Sequence, residues 1–115
     1  MQSTPRFLQG VFPFVGKGIE SPVPLDAALT YTVPVGVIAQ PVYFRGGNTT
    51  GDLVYVVLTR DGKPMRYFPI GAKSDVHVPL RVVEDLDGGT VVELLVGAPE
   101  GVAGALVVDL GLVEV

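Results

Sequence analysis

Asp75 and His77 come nearest, in residue type and spacing, to a reactive pair in this chain. They share a face if residues 73–78 run as a strand, because side chains alternate with period two. An Asp-x-His pair offers two metal ligands, or a base with its orienting carboxylate. A metal site needs three or four ligands, and spacing sets no third one. Nucleophilic catalysis of the Gly-x-Ser-x-Gly kind has no serine in that context. Asp75 and His77 are therefore weak metal candidates, His77 reads as an ordinary surface or hydrogen-bonded residue, and no catalytic residue is assigned.

Other short motifs fall away on spacing. Asp85-Leu86-Asp87-Gly88-Gly89 begins like a calcium loop, which needs glycine sixth and glutamate twelfth. Here glycine comes fourth and Glu93 ninth, so the stretch reads as a turn. Gly10 to Lys17 is one residue too long for a phosphate loop and no Ser or Thr follows the lysine. Arg45-Gly46-Gly47-Asn48-Thr49-Thr50-Gly51 is the most polar stretch. Its successive amides with Arg45, Asn48 and Thr50 make a candidate ligand loop, suited to an anion; a plain inter-strand loop is the simpler reading.

Aromatic residues gather at Tyr43, Phe44, Tyr55, Tyr67 and Phe68, with Arg45, Arg60 and Arg66 nearby. Tyrosine beside arginine is typical of interface centres. The same side chains suit a sugar-binding or ring-stacking face, or plain core packing.

The elements that must position these groups are strands. From residue 27 onward, runs of six to ten β-formers are punctuated by Gly, Pro, Asn or Asp, predicting strands near 27–33, 36–45, 52–60, 63–70, 73–78, 90–97 and 104–114. A further short strand is expected at 10–15. Asp61-Gly62 marks a two-residue hairpin, since a type I′ turn needs positive φ at both positions. That turn pairs Arg60 with Lys63, Leu58 with Met65 and Val56 with Tyr67. Residues 79–87 place Leu80, Val83 and Leu86 at helical spacing and predict a turn or two of helix as a crossover.

Both faces of these strands are apolar. Leu53, Tyr55 and Val57 oppose Val54, Val56 and Leu58; Leu106, Val108, Leu110 and Leu112 oppose a mixed face. A one-sided antiparallel sheet alternates more cleanly, so the outer faces are expected to be covered. Composition agrees: 48% of the 115 residues are hydrophobic, only 17% are charged, and mean hydropathy is +0.47. Soluble domains carry about 25% charged residues. A small domain has little interior to hold the excess, which directs it to another protein surface.

Residues 1–25 hold four prolines and three of the five phenylalanines. They read as an extended apolar arm lying in a groove of the same chain or of a neighbour, followed by a single domain over 26–115. Interface residues are expected at Phe7, Phe12, Phe14, Tyr43, Tyr55 and Tyr67.

A net charge of −4 argues against nucleic acid, which needs a basic face. No apolar run approaches the about 20 residues of a membrane span. The N-terminus lacks a signal-peptide pattern, so a cytoplasmic location is expected, or a virion if the chain is phage-derived. Without cysteine there is no disulfide, and no cofactor is expected.

Tyr43–Asn48, Arg60–Arg66, Gly71–Leu80, Ala98–Gly101 and Asp109–Leu112 together resemble a group of short bacterial all-β proteins labelled molybdopterin oxidoreductase or assimilatory nitrate reductase. The resemblance covers roughly residues 30–115. With no cysteine for an iron–sulfur cluster and too short a chain to enclose such a cofactor, it implies at most an accessory subunit, and it transfers no site residue.

The sequence thus predicts an all-β, two-sheet sandwich of seven or eight mostly antiparallel strands with an extended N-terminal arm. Its expected function is non-enzymatic assembly, with itself or with a larger complex, as a shell, ring or accessory subunit. The alternative is a ligand-binding sandwich using the 45–51 loop and the adjacent tyrosines.

Overall fold

The computed structural model describes residues 3–115. Among these residues nine strands run in chain order: β1 (Thr4–Val15), β2 (Gly18–Pro24), β3 (Thr30–Thr32), β4 (Ala39–Asn48), β5 (Val54–Arg60), β6 (Lys63–Ile70), β7 (Asp75–Pro79), β8 (Val91–Ala98) and β9 (Ala103–Glu114). Every pairing between them is antiparallel. Sheet A has the order β1-β9-β4-β7; sheet B has the order β2-β8-β5-β6, with β3 also on β8. Leaving the short β3 aside, this is the eight-strand jelly-roll arrangement of two sheets. Among the described residues no helix is long and apolar enough to cross a membrane.

The predicted alternation sets the core. Val54, Val56 and Leu58 from sheet B meet Leu106, Val108, Leu110 and Leu112 from sheet A, all essentially inaccessible to water. Phe44 of β4 stacks on Phe68 of β6 with ring centroids 4.3 Å apart and planes 8° from parallel, tying the two sheets together. Among the described residues no further sheet or helix layer covers the outer faces. Val57 is nonetheless fully buried, because its cross-strand neighbours Tyr67 and Leu95 flank it on the same face.

Three expectations need correction. First, residues 4–24 are extended but form no separate arm. β1 pairs with β9 over its whole length and β2 joins β8, so the segment supplies a strand to each sheet of its own domain. Phe14 is buried in the core and Phe12 packs against it; of the three phenylalanines, only Phe7 faces solvent. Second, residues 79–87 form no helix. Leu80 donates its N–H to the Val42 carbonyl and Leu86 exchanges both backbone hydrogen bonds with Ala39, which pins both ends of the looped segment to β4. Among the described residues the one helical turn lies instead at Ala27–Leu29, capped by Asp26, whose side chain accepts from the Ala28 N–H. Third, the hairpin is right at its turn but slips one residue further out. Asp61 and Gly62 have φ of 51° and 80°, and Arg60 faces Lys63, yet Leu58 faces Arg66 and Val56 faces Phe68. Pro64 has no N–H for the ladder, and a bulge after it shifts the register.

One polar cluster stitches the N- and C-terminal strands together. Glu114, buried on β9, accepts from Arg6 Nε at 3.0 Å and from the Tyr31 hydroxyl. The Arg6 hydrogen bond, then that of Tyr31, hold the Glu114 carboxyl below its ordinary 4.5. Burial, then the hydrogen bond to Glu114, raise Tyr31 well above its ordinary range. A depressed carboxylate pKa stabilises the fold above the unfolded value and loses that contribution as pH falls through the folded one. Glu114→Gln should therefore lower the thermal midpoint at about pH 6 and lose less on going to about pH 3 than the parent does, as read by a melting series over that interval.

Candidate functional site

The outer face of sheet A brings the chemistry-bearing residues into cross-strand rows. Arg45 on β4 sits opposite Asp109 on β9 and His77 on β7; Gly47 sits opposite Val107 and Asp75. Because Gly47 carries no side chain on this face, the rows enclose an open trough of about 460 Å³ whose floor is the backbone of Gly46 and Gly47. Asp75 and His77 form one wall, Val107 and Asp109 the other. The volume falls within the roughly 300–1,000 Å³ of ligand pockets.

Asp109 organises the β9 wall. Its Oδ2 accepts from Arg45 Nη2 at 2.7 Å and its Oδ1 from the Tyr43 hydroxyl at 2.9 Å. The Arg45 guanidinium lies 5.5 Å from the centre of the Tyr43 ring, and the His77 ring meets that ring edge-on at 6.2 Å. Hydrogen bonding to Asp109 raises the Arg45 pKa further. Desolvation, then the same carboxylate, raises that of Tyr43. Arg45 therefore stays charged and Tyr43 stays protonated throughout the physiological range. Tyr43 reaches Asp109 because it lies across Gly111, where a Cβ would come within 2.0 Å of Tyr43 Cε2. Gly111→Ala should push the ring aside and break the Tyr43–Asp109 bond; the check is the loss of that hydroxyl's slowed proton exchange by NMR.

The candidate residues from the sequence separate in space. Arg45, Asp75 and His77 line the trough, and Tyr43 lies beside it against Asp109, Arg45 and His77. Among the described residues no group of three His, Asp or Glu side chains is placed to hold a metal. Asn48 and Thr50 do not line the trough. Both are buried, and the Asn48 side-chain nitrogen reaches the carbonyls of Asp52, Ile70 and Gly71 at 2.8, 3.1 and 3.1 Å. Its oxygen accepts from the Thr50 N–H and hydroxyl. The pair closes the β4–β5 connection from within. Arg45–Asn48 also belong to β4 rather than to a flexible loop. Tyr55 and Tyr67 lie apart from the trough, 5.6 Å from each other on the outer face of sheet B. Asp109 and Gly111 carried no motif; only the 104–114 alternation, which left them on the outer face opposite β4, could have singled them out.

The trough is poorly suited to the anion first considered. Arg45 is committed to Asp109, and Asp75 adds a second carboxylate, so the site holds more negative than positive charge.

No protein-family model matches the chain, and no curated protein matches it in sequence. Solved structures do. The chain is similar to the CBM36-1 domain of a multidomain xylanase from the hindgut metagenome of Trinervitermes trinervoides. That domain is a carbohydrate-binding module; the likeness has a TM-score of 0.55 and 17% identity, over 91% of this chain and 95% of that one. It is also similar to a chain in the structure of infectious bursal disease virus, Gx strain, with TM-score 0.53 and 10% identity. There the match covers 98% of this chain but 31% of the viral one, so this chain spans about a third of that relative. The shared feature is the fold. Fold alone does not assign function.

Proposed function

We propose that the chain is a non-catalytic binding module that takes a saccharide chain across the outer face of sheet A. The observation that carries this reading is the Tyr43–Asp109–Arg45 cluster on the rim of an open, glycine-floored trough faced by Asp75 and His77. Sugar hydroxyls donate and accept at once, and paired carboxylate and guanidinium groups held in place meet both demands. The surplus of carboxylate disfavours phosphate and leaves a neutral polyol favoured. A trough open along the face admits a segment of a longer polymer, whereas a small metabolite is usually enclosed on most sides. The likeness to a carbohydrate-binding module supports this reading at the level of fold.

The test is isothermal titration with soluble oligosaccharides of different linkage, including xylo-oligosaccharides. Binding should be enthalpic and should fall about tenfold in Arg45→Ala, the loss of one charge-assisted hydrogen bond. Equal affinity for Arg45→Ala and the parent would remove the trough from the account.

Assembly is the second reading, and one observation favours it. Phe7, Val11 and Val15 on β1 and Val107 on β9 stand 52, 66, 51 and 46% exposed on the same outer face, an apolar row without cover. The likeness to a chain of an assembled virus supports it only through the fold.

A further inference from the structure

We infer that the free edge of β1 pairs with the β1 of a second copy, antiparallel and centred on Gln9, joining two A sheets into one. This takes the assembly reading to a defined contact. The other three sheet edges offer only short proline-free stretches: β7 has five residues ending in Pro79, β6 is broken by Pro64 and Pro69, and β2 ends in Pro22 and Pro24. On β1, by contrast, residues 6–12 lie unbroken between Pro5 and Pro13. β1 is twelve residues long and ends sheet A.

The direction of its backbone groups follows from the ladder. Val115 exchanges hydrogen bonds with Ile38 and the Ala105 carbonyl accepts from Thr49, so odd-numbered residues of β9 face β4. Even-numbered residues of β9 then face β1, where they pair with even-numbered partners, and Gly16 continues that pattern by donating to the Val102 carbonyl. The odd-numbered residues of β1 therefore point their N–H and C=O groups away from the sheet. They are Pro5, Phe7, Gln9, Val11, Pro13 and Val15.

These positions are symmetric about Gln9. In a two-fold register Gln9 faces Gln9 of the second copy, Phe7 faces Val11, and Pro5 faces Pro13. About six ladder hydrogen bonds form between the prolines. At either end proline meets proline, so neither needs a donor from the other. A register slipped by two residues sets a proline against a residue that can bond, and loses those contacts. On the outer face each Phe7 covers a Val11, an aromatic against β-branched pair that removes two exposed apolar side chains from water. Arg6 is the one charged residue from 5 to 13, and it falls opposite Phe12, so no like charges meet. The contact is isologous and closes on itself as a dimer.

The test combines size with cross-linking, on the full chain. Sedimentation across micromolar concentrations should show a concentration-dependent dimer of the 12.1 kDa chain. Gln9→Pro removes the central outward N–H and none of the bonds to β9, as Pro5 and Pro13 already do at equivalent positions. It should weaken dimerisation at least about tenfold while circular dichroism and melting stay like the parent. In this cysteine-free chain Gln9→Cys should oxidise readily to a disulfide dimer, since facing Cα atoms lie about 5.5 Å apart. Val11→Cys should not, its symmetry mate lying about 13 Å along the strand. A dimer that persists in Gln9→Pro, with Val11→Cys linking as well as Gln9→Cys, would overturn the β1 contact and leave the assembly reading standing. A monomer at every concentration would overturn both.

Discussion

Asp109→Ala should cut saccharide affinity about tenfold to a hundredfold while barely changing stability. The split follows from magnitudes. Asp109 positions both Arg45 and Tyr43 through two hydrogen bonds, and bonds involving a charged partner contribute about 1.5–3 kcal/mol where water is excluded. When ligand covers the trough, loss of that anchor frees both side chains, a cost of about 1.4–2.8 kcal/mol on those fold-changes. Without ligand, the Arg45 side chain is 58% exposed and its ion pair contributes about 0–1 kcal/mol. Asp109→Asn keeps an acceptor for the Tyr43 hydroxyl and should lose less. Titration calorimetry beside a urea melt reads both quantities. An affinity loss matched by an equal loss of stability would mean that Asp109 acts through the fold and not through the trough.

Phe44→Ala is the substitution with the largest expected effect on stability, about 3–5 kcal/mol. Phe44 is fully buried, and its stack on Phe68 is a direct contact between sheet A and sheet B. Marginal domains hold about 5–15 kcal/mol in all, so this one change consumes a large share. Gly46 sits under the Phe44 ring and cannot grow a side chain inward to fill the void without moving Ile70. The midpoint in urea should fall with little change in slope, since the surface exposed on unfolding is nearly the same. Phe44→Leu should recover roughly half the loss by keeping most of the volume.

Strand existence was legible because β-branched residues and turn formers alternate so regularly from residue 27 onward. The shared face of Leu106, Val108, Leu110 and Leu112 was legible for the same reason, and the structure turns it inward. Residues 4–24 were harder. Their prolines argued against regular structure, yet Pro5 and Pro13 fall where β1 has no neighbour to bond, a fact visible only once β9 is in place. The 79–87 segment had helical spacing, but two anchors to β4 distant in sequence override it. Asn48 and Thr50 looked like ligand residues because they are polar beside glycines. Burial turned the same donors and acceptors inward to the carbonyls of Ile70 and Gly71. Arg45, Asp75 and His77 could be named as reactive types, while the partner that organises them, Asp109, lies 64 residues from Arg45. No local pattern encodes that distance.

The most direct test of the binding account is an amide chemical-shift titration with a soluble oligosaccharide that calorimetry has shown to bind. The account predicts that shifts concentrate on Gly47, Asp75, His77, Val107 and Asp109, saturate together, and need about tenfold to a hundredfold more ligand to saturate in Asp109→Ala. Shifts centred instead on Tyr55, Tyr67 and the outer face of sheet B, or no shift for any linkage at millimolar ligand, would contradict it.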